Sequence, residues 1–222
     1  MLLFYFLFCL NLLILSRGEI YIFNSEKNFL KRGNNKIYFG KNFYSVYDVK
    51  YDPLWIYILL QDGLYVINPL KGKIVSFYKF KKNYLKFTKD EEGNFYFLTS
   101  FGKIKVINFT RGDSFYLDFY PKKNVLKFEF FNGKLYFIYK DEIISFDLIK
   151  KEVKKEIEGK WDGIFKYFSN TFFWKENCIK IKNEEERELC INFKIDDLLV
   201  FKDTIFILSS DSIVKLPFKE IK

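Results

Sequence analysis

The chemistry open to this chain is narrowed first by a residue it lacks. Its 222 residues include no His, which removes the commonest general base and the commonest metal ligand. No Ser-His-Asp or Cys-His arrangement can be built. Three groups of residues remain that could do chemistry. Asp62, Asp141 and Asp211 fall at corresponding turns. Brought about 5–10 Å apart in a pocket, they could act as a glycosidase carboxyl pair; as isolated residues they suit tight turns, and turn chemistry is the preferred reading. Cys178 and Cys190 would need carboxylates to complete a zinc site and read better as a disulfide. Lys81, Lys82, Lys122 and Lys123, with Tyr78, Phe80 and Tyr120 close to them in sequence and Lys160-Trp161 at the equivalent connection of the following repeat, interleave cations with aromatic rings, as a docking surface for an acidic protein or polysaccharide does. Gly102 and Gly112 are isolated turn glycines, not a phosphate loop. The expectation is no catalytic residue, no metal site and no cofactor.

The cysteines are positioned by a hairpin that can be read residue by residue. Folding Cys178–Lys182 back on Glu186–Cys190 about Glu184 sets Lys182 opposite Glu186, Lys180 opposite Glu188 and Cys178 opposite Cys190. Ile179, Ile181, Leu189 and Ile191 then share the other face. Both strands agree on this register. Opposed Cβ atoms lie about 4.5–5.5 Å apart in such a pair, close enough to bridge after slight tightening. A Cys178–Cys190 disulfide is expected, worth about 2–3 kcal/mol.

Disulfides belong to oxidising compartments, and the N-terminus agrees. Leu2 to Leu15 is apolar apart from Asn11, and Ser16-Arg17-Gly18 follows with the small residues a signal peptidase prefers. The run is shorter than the roughly 20 residues needed to span a bilayer. Residues 1–18 are expected to be a signal peptide cut after Gly18, leaving 19–222 as one domain, periplasmic or secreted and beside the membrane but not across it. An uncleaved N-terminal anchor is the alternative. The net charge of +9 would suit nucleic acid, but an export signal argues against that partner. Much of the Lys surplus reads as solubilising surface.

The elements that must hold these residues repeat. Lys81-Lys82-Asn83-Tyr84-Leu85-Lys86-Phe87 returns as Lys122-Lys123-Asn124-Val125-Leu126-Lys127-Phe128, and Gly93-Asn94-Phe95-Tyr96-Phe97 as Gly133-Lys134-Leu135-Tyr136-Phe137. Tyr65-Val66-Ile67-Asn68 returns as Lys105-Val106-Ile107-Asn108. A period of about 40 residues holding four short alternating strands marks a β-propeller blade. Five such repeats can be walked, the last lacking a fourth strand, with Ile20–Asn24 spare at the start. The expected fold is all-β, a small propeller of five blades closed by pairing N- and C-terminal strands, because closure removes sheet edges. Six blades, with Phe29–Phe39 in another, is the alternative, and an irregular β-sandwich the competing architecture. Phe95, Phe97, Phe137 and Phe172 are expected to pack between blades.

The segment Gly63-Leu64-Tyr65-Val66-Ile67-Asn68-Pro69-Leu70-Lys71-Gly72-Lys73-Ile74-Val75 resembles the repeat of quinoprotein-like (PQQ-type) propellers, in which a strand ending in Asp or Asn leads through a Gly-Lys turn into the next strand. Ile107-Asn108-Phe109-Thr110-Arg111-Gly112-Asp113 resembles it in part. Phe and Tyr stand where that family packs Ala and Trp between blades. The resemblance implies a propeller and carries over no cofactor site.

Taken together, these features read as an exported, non-catalytic propeller that scaffolds or binds a protein of the cell envelope through Lys81, Lys82, Lys122, Lys123 and Trp161. A carbohydrate-active enzyme using Asp62, Asp141 and Asp211 is the alternative.

Overall fold

A computed structural model describes residues 11–16, 18–24, 29–39, 46–80, 84–183, 185–210 and 212–218. Among the described residues every element is a β-strand, and every sheet is an antiparallel meander with its strands in chain order. Short alternating runs broken by Gly, Asn and Asp turns leave little else possible. The fold is a small β-propeller with six blades.

Residues 1–81 form one compact unit. Its first blade is β1 (Asn11–Ser16), β2 (Glu19–Asn24), β3 (Phe29–Arg32) and β4 (Asn35–Tyr38). Its second is β5 (Asp48–Tyr51), β6 (Ile56–Leu59), β7 (Gly63–Asn68) and β8 (Lys73–Lys79). Ile14, Tyr21, Phe23 and Leu30 of the first blade pack with Val49, Ile56, Ile58 and Ile67 of the second. The Ser16 hydroxyl donates to the Pro53 carbonyl at 2.9 Å.

Here the expectation of five blades is corrected. Strand β2 does not complete the last blade; it pairs with β1 over six residue pairs, from Asn11 opposite Asn24 to Ser16 opposite Glu19, and with β3 on its other edge. Residues Phe29–Phe39 supply β3 and β4, as the six-blade alternative requires. Setting residues 1–18 aside as a leader hid the hairpin partner of β2, and that removed one blade from the count.

Residues 82–222 form the second unit. Its four sheets are β9–β12 (Tyr84–Lys89, Asn94–Thr99, Ile104–Asn108, Asp113–Tyr116), β13–β16 (Lys127–Phe131, Lys134–Ile138, Glu142–Asp147, Val153–Glu158), β17–β20 (Gly163–Tyr167, Asn170–Lys175, Cys178–Lys182, Glu186–Cys190) and β21–β23 (Asp197–Phe201, Thr204–Ser209, Ser212–Pro217). The last sheet has three strands, with Lys215 and Pro217 on its final one, residue types that discourage further edge pairing.

The second strand of each blade is buried on both sides, so its alternate residues serve different neighbours. In β14, Leu135 and Phe137 pack toward β9–β12 with Tyr96, Leu98 and Val106, while Tyr136 and Ile138 pack toward β17–β20 with Trp161, Ile164 and Phe173. In β18, Phe172 and Trp174 turn to the last sheet with Leu198, Val200 and Ile207. Phe95, Phe97, Phe137 and Phe172 are all buried, as expected of aromatic filling. The rings stack between blades, as Tyr96 does on Phe130 at 5.8 Å between centroids. The fourth strands, β8, β12, β16 and β20, are mostly solvent-exposed.

The turn between third and fourth strands explains the repeated Asn. Asn108 Oδ1 accepts from the amides of Thr110 and Arg111, while Gly112 N–H closes on the Asn108 carbonyl at 2.8 Å. Asn68 and Gly72 make the same closure. Asp147 repeats it with Ile149, Lys150 and Lys151. The closing residue takes positive φ in each, 62° at Gly72, 77° at Gly112 and 58° at Lys151. Glycine is the comfortable choice for that conformation, and Lys151 in its place concealed the third copy.

Candidate functional site

In the second unit the turn joining second to third strands lies beside the connection to the next blade, as the Gly159 amide on the Asp141 carbonyl and the Lys122–Glu142 ion pair show. Lys103, just before β11, has its Nζ 5.9 Å from the Tyr116 ring centroid and 5.7 Å from that of Tyr120. Lys105 Nζ adds a contact at 5.8 Å to Tyr116. Both rings are exposed, Tyr116 by 44% and Tyr120 by 62%. Leu117 N–H bonds the Ile104 carbonyl, tying the connection that starts at residue 117 to β11. Cations over exposed ring faces make a surface that holds positive charge and flat apolar area in one place.

The same connection carries the expected lysines. Lys122 is exposed and ion-paired to Glu142 of the adjoining turn. Lys123 is exposed beside it. Lys81 and Lys82 lie outside the described residues. Trp161 corrects the expectation: it is only 5% exposed, its Nε1 donates to the Glu158 carbonyl at 3.0 Å, and it packs on Phe173 with Lys175 above its ring. The loop before β17 turns its aromatic inward to join the core between two blades, which leaves Trp161 little surface to offer a partner. Sequence reasoning missed Lys103 and Tyr116. Their signal was present, because a lysine directly before the third strand and a tyrosine ending the fourth must meet at the same end of a meander.

Two of the three aspartates lie among the described residues, one in each unit. Asp62 is exposed and accepts from the Tyr65 hydroxyl at 2.7 Å. Asp141 is exposed, with its carbonyl taking the Gly159 amide. Asp211 lies outside the described residues. A different pair of aspartates organises these loops. Asp162 Oδ2 accepts the Glu176 amide at 2.9 Å, and Asp196 Oδ2 accepts the Ser210 amide at 2.7 Å. Each precedes a first strand and caps the turn after the second strand of its own blade.

At the other end of the meander, a groove of about 380 Å³ is lined by Glu156, Ser169, Thr171, Phe173, Lys182 and Asn183. Glu156 Oε1 accepts from Ser145 Oγ at 2.7 Å, and Lys154 lies 3.7 Å from its other oxygen. Burial holds the nearby Lys166 amine below the usual lysine range, only partly offset by the charge of Glu156. Burial likewise pushes the Tyr139 hydroxyl, at the end of β14, up to about 12.

The hairpin is formed in the expected register, with Cys178 opposite Cys190, Lys180 opposite Glu188 and Lys182 opposite Glu186. The cysteines are joined in a disulfide. Ile179 and Ile181 are buried on the opposite face. Lys180 reaches diagonally to Glu186, at 2.7 Å, and this bond holds the Glu186 carboxyl below the usual carboxylate range. Among the described residues no helix is long and apolar enough to cross a membrane.

No family model matches this chain, and no curated protein matches its sequence. Solved structures do match its fold. A chain of a nidogen/laminin complex aligns with a TM-score of 0.67 at 12% identity, over 95% of this chain and 90% of that one. The extracellular domain of BT4673 from B. thetaiotaomicron aligns at 0.62 and 12% identity, over 93% of this chain and 33% of that one. PorZ, a surface component of the type-IX secretion system of Porphyromonas gingivalis, aligns at 0.60 and 14% identity, over 93% of this chain and 29% of that one. The chain thus spans about a third of the length of the latter two. At these identities the likeness establishes the propeller fold.

Proposed function

We propose that this chain is an exported, non-catalytic propeller module that docks an acidic protein partner in the cell envelope through the loop surface bearing Lys103, Tyr116, Tyr120 and Lys123. The observation that carries it is Lys103 poised over two exposed tyrosine rings. Aromatic rings beside cations are the residue types that dominate binding energy at protein interfaces. Lys122 extends the basic character of the same connection, and Lys81 and Lys82 lie outside the described residues. Export is supported by the apolar run of residues 2–15 and by the disulfide, which persists in an oxidising compartment; cleavage after Gly18 would take β1 out of the first blade. The extracellular and surface settings named for BT4673 and PorZ agree with it. The likeness to quinoprotein-like repeats is supported at the turns of Asn68, Asn108 and Asp147, and brings no cofactor site.

The test is a crosslinking capture from native envelope fractions, using the wild type and a Lys103→Glu/Tyr120→Ser/Lys123→Glu variant. Lys122 is left in place because Glu142 pairs with it. One partner captured by the wild type and lost by the folded variant supports the proposal. Equal capture by both, or none by either, overturns it. Displacement by a polyanionic polysaccharide but by no protein would reassign the surface to carbohydrate.

A further inference from the structure

Cys178 and Cys190 each have a side-chain oxygen close to the sulfur. The Sγ atoms and a carboxylate oxygen of Glu188 all lie within 4.8 Å of one another. Glu188 Oε1 is 3.8 Å from Cys190 Sγ, and Asn177 Oδ1 is 3.7 Å from Cys178 Sγ. The set is therefore two sulfurs, each with its own oxygen neighbour. In a tetrahedral zinc site, with Zn–S about 2.3 Å and Zn–O about 2.0–2.2 Å, an S···O edge is about 3.5 Å. The two S···O distances of the disulfide form are near that value, and the sulfurs must part on reduction before both can face one ion.

The hairpin is held together by more than the sulfur–sulfur bond. Ile191 N–H donates to the Asn177 carbonyl at 2.9 Å, and Asn177 Nδ2 donates to the Ile191 carbonyl at 2.7 Å. That second bond orients the amide and leaves Oδ1 toward Cys178. Five register pairs and the Lys180–Glu186 ion pair hold the two strands together. Cys190 is exposed and Cys178 half-buried, so reductant and metal can both reach the pair. A groove of about 340 Å³ lined by Glu176, Asn177, Asn192, Phe193 and Lys194 opens at the same end of the hairpin.

We propose that this hairpin is a redox-gated site for a thiophilic divalent cation such as Zn²⁺, closed while the disulfide stands and opened by its reduction. A dithiol supplies the step: it gives two electrons and two protons to the Cys178–Cys190 bond, which breaks to two thiols, and is itself oxidised to a disulfide. Zn²⁺ then replaces the two thiol protons, which pass to solvent, and binds two thiolates, the Glu188 carboxylate and the Asn177 amide oxygen. Two thiolates and one carboxylate more than neutralise the divalent ion, and soft sulfur selects zinc over magnesium or calcium.

The experiment uses the full chain, Zn²⁺ and Co²⁺ alone as probes, and a phosphine as reductant, because a phosphine leaves no competing thiol. Native mass spectrometry is expected to find one Zn²⁺ on the reduced wild type and none on the oxidised protein or on Cys178→Ser/Cys190→Ser. Co²⁺ is expected to give thiolate charge-transfer absorption in the reduced wild type only. Glu188→Gln, whose oxidised form controls for folding, is expected to weaken Zn²⁺ by about tenfold or more. If reduction loosens the hairpin, Zn²⁺ is expected to restore the circular dichroism of the oxidised protein. The proposal is overturned if the reduced wild type takes up no metal and regains no structure with it. It is equally overturned if Glu188→Gln binds Zn²⁺ as tightly as the wild type.

Discussion

Gly163 lies flat against the indole of Trp174: a Cβ at Gly163 would stand 2.0 Å from Trp174 Cζ2. The two residues are paired across β17 and β18, and Trp174 is one of the buried rings facing the last sheet. Gly163 does not take positive φ, so its requirement is space for the ring and not backbone freedom. Gly163→Ala is expected to destabilise the protein by about 1–3 kcal/mol through overpacking, read as a lower denaturant midpoint at unchanged slope. A midpoint equal to wild type would mean that Trp174 has room to move.

The Asp147 turn gives a pH-dependent prediction. Its carboxylate accepts two backbone N–H bonds and lies near Lys134, and the amide of Lys150 is the largest cause of a carboxyl held below its usual value. A depressed native pKa contributes stability above the unfolded value, lost as pH falls through the native one. The ordinary Asp value is about 3.9. Asp147→Ala is expected to lower the unfolding midpoint at neutral pH, and its difference from wild type to shrink below about pH 4. Asp147→Asn is expected to keep the turn, because Asn68 and Asn108 already build it. Thermal unfolding between pH 3 and 7 checks both.

Cys178→Ser/Cys190→Ser removes the cross-strand bridge and is expected to cost about 2–3 kcal/mol for so short a loop. Register and fold are expected to survive, because Ile179 and Ile181 remain buried on the other face. Urea unfolding of the oxidised wild type against the variant measures the cost. Equal midpoints would show that the hairpin is held by its apolar face and ion pairs alone.

The first strand makes the N-terminus testable. Leu13 and Ile14 are buried in β1, each side chain worth about 1.5–3 kcal/mol. A chain starting at Glu19 is expected to unfold at lower denaturant than the full chain, with β2 left as a sheet edge. The intact mass of the exported protein tests the leader itself. A mass beginning at Glu19 supports cleavage after Gly18, and a mass retaining Asn11–Ser16 overturns it.

Several features were legible in the residues because they are local. Alternation with period two and turn residues every few positions determine strands in meanders, since side chains alternate faces whatever lies beyond. The Cys178–Cys190 pairing followed because charge, sulfur and apolar faces of one hairpin admit a single register. The Asn68 and Asn108 turns were visible because an Asx side chain bonds amides within its own loop. Other features depended on distant partners. That Asn11–Ser16 pairs as a strand, and hence that there are six blades and not five, turned on β2 having an edge to fill and on Val49 and Ile56 packing beside it. Trp161 reads as a surface ring until Phe173 is brought against it. Lys103 reads as one lysine among many until Tyr116 and Tyr120 are set beneath it. Spacing within the chain specifies which strands form and how neighbours pair. Which side chains are covered and which stay exposed is decided by packing between blades, where the buried area and most of the hydrophobic free energy lie.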